Sequence, residues 1–284
     1  MKEVSGFRKN FVIGLGHQKC ATSWLYRYLC QSGKFAIGFT KEYHIWDAID
    51  IGIMKKHLVT KADAKNDAKS RSRYLMQWQK DYYYDYFCNL LDEKYLAADI
   101  TPAYSGLNAS RLERIKNNFN KRGVGVKAVI LLRDPVARIK SAVKFNLGRK
   151  NYSEGITQGT TCYDSALKEY YTSQHCVMRT AYQNIIGEAE KVFHKDDCYV
   201  GIYEEMFQGD SIKKLSSFLG VGSNVDFAKE KINPTNDFDA TFGLSEEIRS
   251  FYKDTYAFCF DRYPVTKKLW SQSASPTTLT GVQV

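Results

Sequence analysis

A loop near the start of the chain contains the residue types of an anion site. In "FVIGLGHQKCATSWLYRYL", Gly14 and Gly16 permit a tight turn, and Lys19 adds a mobile positive charge. Thr22 and Ser23 offer hydroxyl donors where an apolar stripe with helical spacing begins. A strand that ends in such a loop and opens a helix directs backbone N–H groups and the positive helix end at one point. The loop therefore predicts a phosphate or sulfate site.

The residues around Lys19 do not fit two familiar phosphate loops. A Rossmann loop has a third glycine where Lys19 stands. A Walker A loop has glycine before its lysine and a magnesium-binding Ser or Thr after it, whereas Gln18 and Cys20 flank Lys19. We therefore predict an anion held without a metal, with a strand-to-helix turn and an incidental lysine as the alternative. The predicted ligands are Gln18, Lys19, Cys20, Ala21, Thr22 and Ser23, with the amides of Cys20 to Ser23 facing the anion.

A second candidate anion site lies in "VKAVILLRDPVARIKSAV". A buried strand ends at Arg133, Asp134 is placed to cap the next helix, and Pro135 suits the first helical position. Arg133 offers a planar fork for an anion, and the hydroxyl of Ser141, eight residues later, can approach from the side. The alternative for Arg133 is an ion pair with a neighbouring carboxylate.

The segment "TKEYHIWD" contains candidate proton acceptors. Glu42 and His44 are both able to take a proton from an acceptor group during a transfer reaction. The alternative is a surface pair between Lys41 and Glu42 with a packed or solvated His44. We expect His17, in the first loop, to be structural.

These residues need strands and helices to position them. Alternation of short apolar strands with helical patterns predicts an α/β fold, with a central parallel sheet between two layers of helices. The five predicted strands are Phe11 to Leu15, Phe35 to Phe39, Tyr95 to Ala98, Val126 to Leu132 and Tyr199 to Tyr203.

Three helices are predicted from their apolar spacing. The first follows a stripe from Arg179 to Phe193, the second starts after Ser245 and extends to Cys259, and the third, Ile212 to Leu219, stops at Gly220. We expect one domain over 1–270. In it, 55–90 forms a helical excursion that either covers a site or packs its aromatic residues on the core, and 271–284 is expected to be a disordered tail.

Composition narrows the class of protein. The chain has 284 residues, of which 44% are hydrophobic, and a net charge of +10, which favours a polyanionic partner. Its seven cysteines form no CxxC pair, so neither a zinc site nor a regular disulfide framework is indicated. The apolar runs are too short for a signal peptide or a membrane span, and we expect a cytoplasmic protein.

The motifs resemble those of sulfotransferases that use 3′-phosphoadenosine 5′-phosphosulfate (PAPS). "GHQKCATSWLYRYL" is similar to their 5′-phosphosulfate loop, with Ala21 in the place of a glycine, and "RDPVARIKS" is similar to their 3′-phosphate motif. "TKEYHIWD" resembles the Lys-Glu-Pro-His-Phe-Phe-Asp stretch of the carbohydrate-directed branch, which includes the heparan sulfate sulfotransferases. "YLAADITPAYSG" resembles the Glu-Lys-Ser/Thr-Pro-x-Tyr segment of the family, with Asp99 in place of Glu and Ile100 in place of Lys.

The resemblance implies a P-loop-like α/β/α fold and transfer of a sulfuryl group to a hydroxyl or amine, with a glycan as the expected acceptor. It implies that Glu42 is the base, that His44 is the alternative base or an orienting group, and that Lys19 stabilises charge on the leaving oxygen. Arg133 and Ser141 would bind the 3′-phosphate of PAPS or of its product 3′,5′-ADP. No metal is required.

Two other functions remain open from the sequence. One is a magnesium-dependent P-loop kinase, in which Asp99 or Asp134 would supply the metal carboxylate. The other is a basic nucleic-acid-binding protein that uses its lysines and its Tyr cluster, although no reader motif is present.

Overall fold

The structure is a computed structural model that describes residues 9–230 and 242–271. Within that part, four strands form one parallel sheet in the order β2-β1-β3-β4. The strands are β1 (Asn10–Gly14), β2 (Leu96–Asp99), β3 (Gly125–Leu132) and β4 (Cys198–Ile202). Four of the five predicted strands are thereby confirmed to within a residue or two.

The predicted strand at Phe35 to Phe39 is wrong. Phe35 forms only an isolated parallel bridge with Leu96, and the chain then leaves the sheet. Ile37 is 61% exposed, so the segment presents apolar surface to solvent instead of burying it as a strand would.

The described residues contain thirteen α-helices. They are α1 (Thr22–Gln31), α2 (Trp46–Asp50), α3 (Ala68–Trp78), α4 (Tyr82–Glu93), α5 (Ala109–Lys121), α6 (Pro135–Gly148), α7 (Tyr163–Tyr171), α8 (Gln174–Met178), α9 (Tyr182–Glu190), α10 (Gly209–Leu219), α11 (Phe242–Phe251), α12 (Lys253–Arg262) and α13 (Val265–Ser271). In 9–230 and 242–271, none of the helices is long and apolar enough to cross a membrane.

The helix predictions are confirmed in place but not in every boundary. Gly220 ends α10 with a φ of 70°, as expected for a glycine C-cap. Arg179 is the residue after α8 rather than part of α9. The helix expected after Ser245 is two helices, α11 and α12, with Tyr252 between them. The predicted tail at 271–284 lies outside the described residues apart from Ser271, the last residue of α13.

The chain divides into two compact units, and our prediction of one domain over 1–270 stays a prediction. The first unit, 9–133 and 184–230, contains the sheet. Successive strand residues point to opposite faces. Val12 therefore packs in a core with α1 and α10, which include Trp24 and Ile212. Phe11 contacts Phe87 of α4 and Phe119 of α5 on the other face.

Helices thus cover both faces of the sheet in the first unit, as predicted. Tyr83, Tyr84 and Phe87 of the aromatic run are buried, so these residues pack on the core. The second unit, 134–183 and 242–271, is helical, and its interior includes Arg138, Cys176 and Trp270.

Candidate active site

The first loop is fixed to the sheet by its backbone. The Leu131 amide donates to the Gly16 carbonyl, and the His17 amide donates back to the Leu131 carbonyl, both at 3.1 Å. Nδ1 of the buried His17 ring lies 3.0 Å from the same Leu131 oxygen. Gly16 has a φ of 102°, and a Cβ atom there would lie 2.9 Å from Cβ of Ser105. A side chain at Gly16 would therefore displace the loop.

Ala21, which stands in the place of the glycine of the resembled loop, lies at the boundary of the first helix. Ala21 is the N-cap of α1 and has left-handed backbone angles, φ 64° and ψ 26°. This conformation costs an ordinary residue about 1–2 kcal/mol, which explains why glycine suits the position better. Lys19 has a similar φ of 68°.

The amide of Cys20 is also used within the loop. It donates to the His17 carbonyl at 3.2 Å, and the Cys20 side chain is buried in the core. An anion at this amide would have to compete with the His17 carbonyl, and our assignment of the amide to an anion stays a prediction. The amides of Ala21, Thr22 and Ser23 stand at the start of α1, where helix N–H groups have no intrahelical acceptor.

Lys41 connects this loop to the candidate base. Its Nζ donates to Thr22 Oγ1 and to Ser23 Oγ, each at 3.2 Å. The same Nζ lies 2.7 Å from Glu42 Oε1 in an ion pair, and the Lys41 side chain is only 17% exposed. Two motifs that are separate in the sequence are therefore joined by one ammonium group.

Glu42, His44 and Asp47 form a chain of charged contacts. Nε2 of His44 lies 3.4 Å from Glu42 Oε2, and its Nδ1 donates to Asp47 Oδ2 at 2.7 Å. Asp47 is fully buried. The Glu42 carboxylate is 36% exposed and so stays open to an incoming group.

A buried network positions the backbone of this segment. The Thr101 hydroxyl accepts from the Tyr43 amide at 2.9 Å and donates to Asp99 Oδ1 at 2.6 Å. Asp99 also accepts from the hydroxyls of Tyr83 and Tyr104. Burial raises the pKa of Asp99 to about 6, against the lowering effect of these hydrogen bonds.

The electrostatics distinguish the two candidate bases. Burial would raise the pKa of Glu42, but the hydrogen bond from His44 and the charge of Lys41 lower it to about 2. Burial would lower the pKa of His44, but its hydrogen bonds to Asp47 and Glu42 raise it to about 9. At neutral pH, His44 is therefore protonated and unable to accept a proton, whereas Glu42 is an ionised carboxylate.

These shifts predict a pH dependence of folding. The pKa of Glu42 falls from 4.5 to about 2, so its contribution to stability is present above pH 4.5 and is lost as pH falls toward 2. The pKa of His44 rises from 6.5 to about 9, so its contribution is complete below pH 6.5 and is lost as pH rises through 9. Between pH 6 and pH 9, the unfolding free energy of His44→Gln should therefore fall by about 2 kcal/mol less than that of the wild type.

The exposed His194 provides the control, because the unfolding free energy of His194→Gln should change between pH 6 and pH 9 as it does in the wild type. If the unfolding free energies of His44→Gln and the wild type changed equally with pH, the stabilising role of the His44 contacts would be contradicted.

Sequence reasoning missed three residues of the 55–90 excursion that contact the site. The His57 ring stacks on His44 with centroids 3.8 Å apart, and Gln77 donates to the carbonyls of both histidines. Arg73 donates to the Glu42 carbonyl at 2.8 Å. Burial and the charge of His44 lower the pKa of His57 to about 4. The sequence signal for these residues was the prediction that the 55–90 excursion either covers a site or packs its aromatic residues on the core.

Arg133, at the end of β3, also contacts the first loop. Its Nη1 donates to the Lys19 carbonyl at 3.1 Å, and its guanidinium lies over the Tyr203 ring at 4.2 Å. The structure thus brings Lys19 and Arg133 together within the first unit.

Ser141 belongs to the second unit and is buried in α6. The predicted start of this helix is confirmed, since Asp134 caps it by accepting from the Ala137 amide and Pro135 is its first residue. The role of Ser141 toward a phosphate stays a prediction.

The two carboxylates considered for magnesium have other partners. Asp99 accepts three hydroxyl groups, and Asp134 accepts the Ala137 amide and the Tyr256 hydroxyl. A metal would have to compete with these hydrogen bonds. Over 9–230 and 242–271, no group of three or more His, Cys, Asp or Glu side chains is arranged to hold a metal ion.

Comparison with known proteins supports the fold. No family model matches the chain, and no curated protein does. The structure is similar to a sulfotransferase from Alicyclobacillus acidocaldarius, with a TM-score of 0.55, 21% identity, and coverage of 89% of this chain and 95% of that one. It also matches the sulfotransferase domain of the Synechococcus PCC 7002 olefin synthase, with a TM-score of 0.45, 16% identity, and coverage of 88% and 90%. The first similarity shows that the chain has a mixed α/β fold of the sulfotransferase type.

Proposed function

We propose that this protein is a sulfotransferase that moves the sulfuryl group of PAPS to a hydroxyl or amine of an acceptor, with Glu42 as the base. The observation that carries the proposal is the contact of Lys41 with Thr22, Ser23 and Glu42. This contact joins the loop proposed to bind the 5′-phosphosulfate to the group proposed to take the acceptor's proton.

The residues present fit such an anionic donor. Lys19, Lys41 and the amides of Ala21 to Ser23 would hold the 5′-phosphosulfate, because cations, hydroxyls and helix N-termini all favour negative charge. Arg133 would hold the 3′-phosphate, and the same role is proposed for Ser141 on the sequence motif alone. PAPS, when bound, supplies the sulfuryl group and a phosphate leaving group. Lys19 would stabilise the charge that develops on that group.

The proposed acceptor is a glycan or a similar molecule, and its support is the resemblance of "TKEYHIWD" to the carbohydrate-directed branch. We propose that the reaction needs no metal, since the loop lacks the Walker A residues that hold magnesium. We also propose a cytoplasmic location, supported by the seven cysteines, all of which are free thiols.

Binding of 3′,5′-ADP tests the donor site. At a concentration about 100 times the dissociation constant, the nucleotide should stabilise the wild type by about 2.7 kcal/mol, measured by thermal unfolding. Lys19→Ala and Arg133→Ala should lose most of this stabilisation, because each removes a cation proposed to face a phosphate.

The control is Lys213→Ala, which removes the charge of a 65% exposed lysine and should leave the stabilisation intact. No stabilisation of the wild type would contradict the assignment. If the group-transfer activity of the protein disappeared with EDTA and returned with magnesium, the result would support a magnesium-dependent kinase instead.

A further inference from the structure

Lys41 is in contact with two groups that the proposed reaction needs at the same moment. Its ammonium is 2.7 Å from Glu42 Oε1 and 3.2 Å from the hydroxyls of both Thr22 and Ser23. An ammonium group has three N–H donors, and these contacts account for three acceptors. A further anion at the loop would therefore compete with Glu42 for Lys41.

The contact with Lys41 is unfavourable for a base. A carboxylate that is paired with a cation is a weaker proton acceptor, because the positive charge favours its ionised form. Glu42 is paired on both oxygens, with Lys41 at Oε1 and His44 at Oε2. His44 is held by the buried Asp47 and is stacked on His57, so it is fixed in place. Lys41, on a flexible four-carbon stem, is the more mobile of the two cations.

We propose that Lys41 is a catalytic residue with two alternative partners: Glu42 when no donor is bound, and the sulfonate of PAPS once it lies against Thr22 and Ser23. The inference rests on the proposed function. Movement of the ammonium to the sulfonate leaves Glu42 with one cationic partner and makes it a stronger base only when the donor is present. Binding of the donor therefore activates the base.

The transfer step balances with these roles. The acceptor oxygen forms its bond to sulfur while the bond from sulfur to the 5′-phosphate oxygen breaks, and the electron pair leaves with the phosphate. The proton of the acceptor hydroxyl goes to Glu42. The ammonium of Lys41 remains charged throughout and offsets the negative charge of the sulfuryl oxygens.

The test compares two nucleotides that differ in the sulfonate. Dissociation constants of PAPS and of 3′,5′-ADP are measured by calorimetry without acceptor, for the wild type and for Lys41→Met. Loss of a charge-assisted hydrogen bond to the sulfonate should weaken PAPS binding about 10- to 100-fold. Binding of 3′,5′-ADP, which has no sulfonate, should change less than about twofold. A merely structural role for Lys41 would not separate the two nucleotides.

Two further variants keep the test decisive. Lys41→Gln is measured in the same way, so that a result does not depend on the folding of Lys41→Met. Lys55→Met removes the charge of an exposed lysine in the 55–90 excursion and should weaken the binding of neither nucleotide. If the Lys41 variants lost affinity for both nucleotides equally, or for neither, the inference would be overturned and the proposed function would stand. A wild type that binds neither nucleotide would overturn both.

Discussion

Glu42→Gln is expected to lower sulfuryl transfer by about 10²- to 10⁴-fold, the usual cost of losing a general base. Glutamine has nearly the shape of glutamate but cannot accept a proton at neutral pH. The residues proposed to hold the nucleotide are unchanged, so the affinity for 3′,5′-ADP should stay near that of the wild type. Initial rates of sulfate transfer from PAPS and nucleotide binding are measured on the same preparations.

The matched control is Glu93→Gln, which makes the same change at an exposed residue at the end of α4 and should leave the rate unchanged. His44→Gln should reduce the rate less than Glu42→Gln, because the protonated His44 orients Glu42 rather than taking the proton. A fully active Glu42→Gln together with an inactive His44→Ala would transfer the role of base to His44.

Features set by local sequence were predictable. Asp134 and Pro135 mark the start of α6, and Gly220 marks the end of α10, because a cap depends on residues within a single turn. The four sheet strands were also predictable, since each is a short, mostly apolar run. Strands β1, β2 and β3 are almost wholly buried, whereas β4 is buried only at its end.

The segment at 35–39 shows why such a run is not sufficient. After the single bridge at Phe35, the chain passes close to Tyr43, and a Cβ atom on Gly38 would lie 1.8 Å from the Tyr43 hydroxyl. The Phe39 amide donates to the Tyr86 hydroxyl at 3.1 Å instead of to a strand. A nearby side chain, Tyr43, and one that is distant in the sequence, Tyr86, therefore help to determine this path.

The candidate site was predictable in its parts but not in its connections. Glu42, His44 and Lys19 were recognisable by type and by motif, whereas the link through Lys41 depends on how two loops fold together. His57 was not recognisable, because it lies thirteen residues from His44 and no motif includes it. The left-handed backbone at Ala21 was also missed, since alanine gives no signal of that conformation.

Arg179→Met is expected to destabilise the protein by about 3–5 kcal/mol, which makes it the largest stability effect we predict. Arg179 donates from both terminal nitrogens to the two oxygens of Glu154, at 2.7 and 2.9 Å. Both side chains are at least nine-tenths buried, and Asn146 also donates to Glu154. Methionine would fill the space but leave the carboxylate of Glu154 in the interior without its cation.

The double variant Glu154→Gln with Arg179→Met separates this cause from simple loss of packing. With both charges gone, no ion is stranded, and the double variant should be more stable than Arg179→Met alone. Urea unfolding followed by circular dichroism measures both free energies. The exposed pair of Lys229 and Asp226 is the control, since Lys229→Met should have little effect there. If the double variant were as unstable as the single one, the cost would come from the lost arginine contacts and not from an unpaired carboxylate.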